Sequence, residues 1–401
     1  MNKKYNLLSG DLVLWGILAL LALFSFFPVF SASSNLAHVV GKGTPWGYLI
    51  KHFVILIIGF VLMYSAHKIN YAYFKGISIL MLPVVIILLI YTASQGTLIE
   101  GANASRWIRL PVIGLSFQTS TLASLITMIY TSYYFSKYKK VEVTFKSSIL
   151  KFWLPIFSIV LLIFPSNLST AALLFLMVLI LSFIAGYPLK YLFTICGTGL
   201  AGVVLFFMTI KAFPGVFPNR IDTWLNRIEN FSNGTSSDGN YQVERAKTAI
   251  VNGKIFGVGA GKSRMKNFLP QSSSDFIYAI IVEEFGLFGG VGLIVIYLLL
   301  LFRIVVISYN ASSTFGTLLV IGMGFPVITQ AFINIGVAVQ VLPVTGQNLP
   351  MISSGGTSAW MTCVAMGIVL SVSSKQEQLH VGINSETLKN TNPISILSES
   401  I

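Results

Sequence analysis

Charge is scarce in this chain. Only 10% of its 401 residues are Asp, Glu, Lys or Arg, against about a quarter in an ordinary soluble domain. That scarcity excludes a water-soluble fold of this size. With 55% apolar residues and a mean hydropathy of +0.80, lipid is the solvent the chain requires. Acids are rarer still, with 13 Asp and Glu against 26 Lys and Arg. In a membrane protein such an excess is topological, because basic residues are retained on the cytoplasmic side; it does not argue for nucleic-acid binding. Cysteine numbers two, Cys196 and Cys363, both inside apolar runs, and histidine numbers four. No disulfide framework or His/Cys metal cluster is suggested by so few.

What the chain has in abundance is long apolar runs. The first follows Lys3 and Lys4 and ends near Ser31-Ala32-Ser33, superficially like a cleavable signal peptide. It is ~20 residues long, beyond the usual 7–15 of a signal core, and further spans follow, so it reads as a retained first helix. Ten segments match a transmembrane helix: 11–30, 47–67, 74–94, 118–136, 150–165, 167–186, 190–211, 276–302, 313–337 and 350–373. The expected fold is therefore an all-α integral membrane protein of about ten transmembrane helices. One polytopic domain covers 1–374, a long loop at 212–275 lies between helices 7 and 8, and a polar, disordered tail runs over 375–401.

Basic residues set the orientation. With the N-terminus inside, the short cytoplasmic segments hold Lys3, Lys4, Lys68, Lys75, Lys137, Lys139, Lys140, Lys146, Lys151, Lys190, Arg303 and Lys375, and the short outer ones only Lys42, Lys51, Arg106 and Arg109. Both termini are then cytoplasmic. The outer face receives 95–117, 212–275 and 338–349. The 212–275 loop is basic, yet loops longer than ~60 residues escape the charge rule. Its cations call for an anionic partner, either phospholipid headgroups or a pyrophosphate substrate.

One motif in that loop is a decoy. Gly257-Val-Gly-Ala-Gly-Lys-Ser263 looks like a nucleotide-phosphate loop, but that motif needs a glycine where Phe256 stands, and a preceding strand in a βαβ unit. These glycines instead permit a tight turn and a close backbone approach.

Four stretches, in order, resemble the FtsW/RodA family. The first is Ala104-Ser105-Arg106-Trp107-Ile108, continuing to Phe117-Gln118. The second is Tyr241-Gln242, Ala249-Ile250 and Gly253, then Gly257-x-Gly259-x-Gly261-x-Ser263. The third is Leu269-Pro270-x4-Asp275-Phe276-Ile277, then Glu283-Glu284-x-Gly286. The fourth is Asn334-x-Gly336, Leu342-Pro343-x-Thr345-Gly346, and Leu349-Pro350-x-Ile352-Ser353-x-Gly355-Gly356-Thr357-Ser358. With the spans in register, the resemblance covers nearly the whole chain. Gln242-Val-Glu-Arg-Ala-Lys247 and Gln347-Asn348 are most similar to the Bacteroidetes-type FtsW branch, which favours division over elongation. Departures exist: the family's Pro-Ser-Glu-x-x-Lys reads Thr119-Ser120-Thr121-Leu122-Ala123-Ser124, and its Ser-Tyr-Gly-Gly reads Ser353-Ser354-Gly355-Gly356.

The resemblance implies a peptidoglycan glycosyltransferase of the bacterial inner membrane that polymerises lipid II during cell division and releases undecaprenyl pyrophosphate. It implies Asp275 as the catalytic base, and substrate contacts among Arg106, Trp107, Gln118, Arg245, Lys262, Ser263, Thr345, Ser353, Gly355 and Gly356. It implies lipid II, a class B penicillin-binding transpeptidase and other divisome membrane proteins as partners. No cofactor is certain; a divalent cation, Mg or Mn, would have to be bridged by substrate pyrophosphate, because Asp275 alone is a poor site. Taken as residues alone, several positions keep two readings. Asp275 is a general base or the N-cap of the helix that follows Ser274. Arg106 is a phosphate contact or an interfacial snorkel. Glu283 and Glu284, inside a span, read as structural, buried acids paired with polar groups. The 349–358 segment either lines a polar cavity or lets helices pack closely. A lipid II flippase and a non-catalytic division scaffold remain the rival functions.

The topology is directly testable. A reporter fused after Lys140 is expected to read cytoplasmic and one inserted near Asn233 to read periplasmic; finding both on one side would overturn this orientation.

Overall fold

A computed structural model describes residues 8–39, 44–94, 98–99, 102–103, 107–109, 116–138, 145–212, 238–269 and 271–390. It is built of helices: α1 (Leu12–Val39), α2 (Pro45–Lys68), α3 (Phe74–Ser94), α4 (Thr119–Tyr138), α5 (Phe145–Ile163, with a π turn over Ile149–Trp153), α6 (Leu168–Ile184), α7 (Leu189–Ala212), α8 (Asp238–Gly253), α9 (Ile277–Tyr309), α10 (Thr314–Ala338) and α11 (Gly356–Asn390). Among the described residues, seven helical segments are long and apolar enough to cross a membrane: Leu12–Ser34, Pro45–Lys68, Tyr71–Ser94, Phe145–Ile163, Ile277–Tyr309, Thr314–Ala338 and Gly356–Glu377. Two apolar helices are shorter, Leu168–Ile184 and Leu189–Leu205. Two helices remain: α4 carries Ser, Thr and Tyr along much of its length, and α8 is polar over much of its sequence.

Local chemistry explains where these helices start. Thr44, Asn167 and Ser313 cap α2, α6 and α10, each side chain accepting a backbone N–H three residues on. Apolar side chains then divide between two environments. Trp153, Tyr297, Phe152 and Phe276 are fully buried, while Leu23, Leu80, Phe193 and Phe302 point outward and stay exposed, as a lipid-facing surface requires. Buried polar groups knit the bundle: Tyr297 donates to the Pro350 carbonyl at 2.6 Å and Trp360 Nε1 to that of Ile55 at 3.0 Å. At the other end, Arg303 of α9 pairs with Asp11, which precedes α1.

Three details differ from the sequence reading. Segment 95–117 contains two short antiparallel pairings, β1 (Leu98–Ile99) with β2 (Ala102–Asn103) and β3 (Trp107–Arg109) with β4 (Ser116–Gln118). The last helix begins at Gly356 rather than near 350, because 349–355 is a turn closed by Ser353, whose Oγ accepts from Leu349 N–H at 2.7 Å; it then runs beyond Lys375 to Asn390. The N-cap of α9 falls on Phe276, without a side-chain cap bond, so the alternative of Asp275 as that cap is set aside.

The feature that organises the half of the bundle that carries the start of α9 is a break in that helix. Gly286 has φ 69° and ψ −168° and interrupts the helix. The segment after α8 fills the gap with backbone: Val258 N–H donates to Glu283 O at 2.9 Å, Gly259 N–H to Glu284 O at 3.0 Å, and Leu287 N–H to Lys254 O at 2.9 Å. Approach this close leaves no room for side chains. A Cβ at Gly253, Gly257 or Gly286 would fall within 3 Å of the opposing backbone. The glycines of the rejected phosphate motif thus have a packing use. Gly253→Ala is expected to cost roughly 3 kcal/mol or more, the upper range of overpacking. Gly76→Ala, at a helical position with nothing within 4 Å, is expected to be neutral or to gain up to ~1 kcal/mol. Thermal midpoints of the two purified variants in one detergent check the contrast.

Candidate functional site

Asp275 ends a tight turn that leads from the segment after α8 into α9. Gln271, with φ 61°, turns the chain, and Ser274 and Phe276 N–H both return to its carbonyl. The next carbonyls are then taken one by one. Ser354 gives both its N–H (2.9 Å) and its hydroxyl (3.0 Å) to Ser273 O. Ser353 Oγ donates to Ser274 O at 2.6 Å. Asn334 Nδ2, from α10, donates to Asp275 O at 2.8 Å. The turn is therefore anchored at three successive residues, and Asp275 itself is half-buried. Its carboxylate faces the 342–349 loop: a Cβ on Gly346 would lie 3.4 Å from Asp275 Oδ2, and Gly346 has φ +69°.

Beside that loop a cavity of about 130 Å³ opens between α4, α6, α10 and α11. Its lining is amphipathic. Gln118, Thr121, Ser124, Asn167, Gln330 and Asn348 supply polar groups, and Met128, Leu174, Met177 and Met323 supply apolar ones. No charged side chain is among the described residues that line it. Its mouth is stitched by side-chain amides: Gln330 Nε2 donates to Asn348 O at 3.0 Å, and Gln347 Nε2 to Thr170 Oγ1 at 3.2 Å.

Several residues singled out from the sequence meet here. Trp107 and Gln118 are directly paired across β3 and β4. Gln118 N–H donates to Thr357 Oγ1 at 3.2 Å, which ties that hairpin to the start of α11 at Gly355 and Gly356. Gly355 lies against the Asn348 amide, where a Cβ would not fit. Ser353 acts through the Ser274 carbonyl, and Thr345 sits in the loop facing Asp275 with a buried hydroxyl that has no partner. Arg106 lies outside the described residues.

The remaining candidates form a second group on the α1 side. Ser263 is buried; its hydroxyl donates to Glu283 Oε2 and its N–H to Glu284 Oε1 at 3.3 Å. Glu283 also accepts from Arg264 N–H at 3.2 Å and Met265 N–H at 3.3 Å. Glu284 accepts from the Ser31 hydroxyl of α1, which in turn receives Lys266 Nζ at 3.2 Å. Glu283 and Glu284 are each 1% exposed, and their oxygens hold the 261–266 turn. Lys262 is exposed, its side chain passing over Gly259. Arg245, on α8, lies over the Tyr241 and Phe268 rings at 4.8 and 5.6 Å, a cation–π arrangement. Among the described residues no three His, Cys, Asp or Glu side chains come together as a metal site.

Sequence reasoning missed Asn334 and Gln330 as members of the Asp275 neighbourhood. Their spacing of four on α10 places both amides on one helix face, a polar pair in an otherwise apolar span, and that was the available signal.

Comparison with known proteins gives a consistent result. The cell cycle protein family model for FtsW, RodA and SpoVE matches residues 11–378. The chain is 30% identical to a probable peptidoglycan glycosyltransferase FtsW of Nitrosococcus halophilus, over 90% of this chain and 92% of that one. It is 31% identical to the corresponding protein of Geobacter sulfurreducens, over 91% and 95%. In fold it is similar to a chain from a peptidoglycan synthase complex that coordinates polymerisation and crosslinking (TM-score 0.69, 23% identity, 92% and 99% covered). It is likewise similar to the rod shape determining protein RodA of Thermus thermophilus (TM-score 0.64, 21% identity, 92% and 97% covered).

The two groups of residues should respond differently to substitution. Glu283→Ala removes the acceptor of one hydroxyl and two N–H groups in a buried turn, and each donor left unpaired costs about 1–3 kcal/mol. It is expected to lower the thermal midpoint and the amount of protein in the membrane. Lys262→Ala, at an exposed position, is expected to leave both at parent values.

Proposed function

The chain belongs to the FtsW/RodA/SpoVE family of cell cycle proteins, and on that premise we propose how its residues carry out the family's reaction. It is a peptidoglycan glycosyltransferase: it joins lipid-linked disaccharides of lipid II into glycan strands during cell division and releases undecaprenyl pyrophosphate. It is a multi-pass protein of the inner membrane.

The reaction is a displacement at a sugar carbon. The acceptor disaccharide's hydroxyl oxygen forms a bond to the anomeric carbon of the donor. The bond from that carbon to the pyrophosphate oxygen breaks, and its electron pair leaves with undecaprenyl pyrophosphate. The acceptor hydroxyl must lose its proton, and the Asp275 carboxylate takes it. One observation carries this assignment. Asp275 is an acid held by three anchored carbonyls, released from capping duty, with its carboxylate turned toward Gly346 beside a cavity. Glu283 and Glu284 are the other acids nearby in sequence; both oxygens of Glu283 and Oε1 of Glu284 are engaged with the 261–266 turn and α1, and both side chains are buried. The cavity has polar but uncharged walls, which suits a sugar and the first apolar units of its lipid better than a pyrophosphate. The anionic group then belongs nearer the outer cations, with Arg106, Arg245 and Lys262 as its contacts. Trp107, opposite Gln118 in the hairpin, offers an apolar face for a sugar ring at the cavity mouth.

This chemistry sets the orientation. Lipid II is consumed on the periplasmic side, so Asp275 and the loop from 212 to 275 lie there. Ten spans then return both termini to the cytoplasm. The strands made here need crosslinking, and a class B penicillin-binding transpeptidase within the division machinery is the partner that fits.

General-base help is worth about 10²–10⁴-fold. Asp275→Asn keeps the shape and the anchored carbonyl but removes the basic oxygen. Polymerisation of purified lipid II is expected to fall by at least ~100-fold, the lower end for loss of a base, with the thermal midpoint unchanged. Asp275→Ala is expected to behave the same way, since no helix cap is lost. Long glycan strands made by Asp275→Asn at the parent rate would end the assignment.

A further inference from the structure

Asn334, from the Asn334-x-Gly336 motif, sits near the end of α10 and is 1% exposed. Its Nδ2 donates to two backbone carbonyls from different parts of the chain: Asp275 O at 2.8 Å and Gln347 O at 2.7 Å. An amide nitrogen has two hydrogens, and both are spent here. The arrangement fixes which way the amide faces, because a flipped group would set its oxygen against two other oxygens. Its Oδ1 is buried without a partner. A buried acceptor left unpaired is a standing cost, and an asparagine present for stability alone would be expected to use both ends.

What the two acceptors have in common is Asp275. One is the residue's own carbonyl. The other belongs to Gln347, whose neighbour Gly346 faces the Asp275 carboxylate. The remaining grips on this turn come from Ser353 and Ser354 and act on Ser273 and Ser274. Ser353 also joins the turn to that loop, through Leu349 N–H and Ser274 O, but Asn334 is the side chain that holds both Asp275's own carbonyl and the residue next to Gly346. It therefore sets the distance between the acid and the wall beside which an acceptor sugar must lie. Gln330, one turn earlier on the same face, extends the same stitching to Asn348 O, further along the cavity mouth.

We propose that Asn334 is a positioning residue for Asp275, locking the base's backbone to the 346–348 loop so that the carboxylate meets the acceptor hydroxyl at a fixed distance. The inference rests on the reading of Asp275 as the general base. Without the lock the acid remains but its placement loosens, and misplacement of a reacting group by about 1 Å can cost on the order of 10²-fold. The loss falls on turnover, because Asn334 contributes no contact to the pyrophosphate or the lipid.

The test uses the full-length protein in detergent with lipid II as substrate. Asn334→Ala removes both donations; Asn334→Leu does the same while keeping the branching at Cγ, and keeps the test usable if the alanine variant folds poorly. Ser371→Ala supplies the baseline for a purely structural loss. It deletes a similarly buried hydroxyl bond, Ser371 Oγ to Ile69 O at 2.5 Å, about four turns further along α11. Expected for the Asn334 variants is a fall in kcat per folded molecule on the order of 10²-fold, with KM for lipid II little changed. The acidic limb of the kcat–pH profile is expected to move, since it reports the surroundings of Asp275. Asn334 variants whose kcat and pH profile match the parent, or whose loss is no larger than that of Ser371→Ala, overturn the proposal. If Asp275→Asn retains activity, the reading of the base fails first and this inference with it. If Asp275→Asn is inactive while the Asn334 variants are normal, the inference alone fails.

Discussion

A helix in lipid must satisfy every backbone group within itself or against protein, and α9 does not manage this alone. It is interrupted at Gly286, and the segment after α8 completes it through backbone hydrogen bonds to Glu283 O, Glu284 O and Leu287 N–H. This junction ties the segment after α8 to a spanning helix. The buried Glu283 and Glu284 side chains then reach out from the same turn of α9 to hold Ser263, Arg264 and Met265. The stretch from Gly253 to Met265 is thus held by two glutamates and three glycines. The start of α9, and with it Asp275, is held from below by the same helix.

Among the described residues, the end of the bundle that carries Asp275 is held together largely with neutral donors. Around Asp275 and the cavity, the connections are Ser, Thr, Asn and Gln side chains reaching backbone carbonyls. Such bonds cost far less to bury than charges do. They hold the turn through its backbone carbonyls and leave the Asp275 side chain out of that stitching. The cations sit elsewhere: Arg245 over aromatic rings, Lys262 in the open, Lys266 on Ser31 and Gly261 O. The division suits a displacement in which a proton and a pyrophosphate must leave in different directions.

Much of this was legible in the chain itself. Apolar run length located the helices, because a span of lipid has one thickness and one helical rise. The order of short motifs located Asp275, Trp107, Gln118 and the glycines. Other features were not legible, for physical reasons. A helix boundary set by Ser353 closing a turn, which delays α11 to Gly356, leaves no trace in hydropathy. The break in α9 is invisible too, since Gly286 sits within an apolar run and needs a partner segment more than 25 residues away to make sense. Asn334 and Gln330 read as two polar residues in a span; which carbonyls they hold depends on loops whose paths only tertiary structure sets. From sequence a helix cap and a base look alike at Asp275; the structure puts the cap of α9 on Phe276, and the base is the reading proposed for Asp275.

The contrast between the acids is the last step of the argument. Three carboxylates lie within nine residues, Asp275, Glu283 and Glu284, and all could in principle accept a proton. Burial with hydrogen bonds makes an acid structural: Glu283 has a hydroxyl and two N–H groups pointed at it, and removing its proton-accepting capacity would unmake a turn. Glu284 holds α1 to the loop through Ser31, and a group that must keep that contact cannot also follow a substrate through a reaction. Asp275 is the reverse case. Its backbone is held at three carbonyls while its side chain stands half-buried against a glycine, the residue that crowds it least. An anchored main chain is what the proposed general base requires, because geometry must be fixed before basicity can be used.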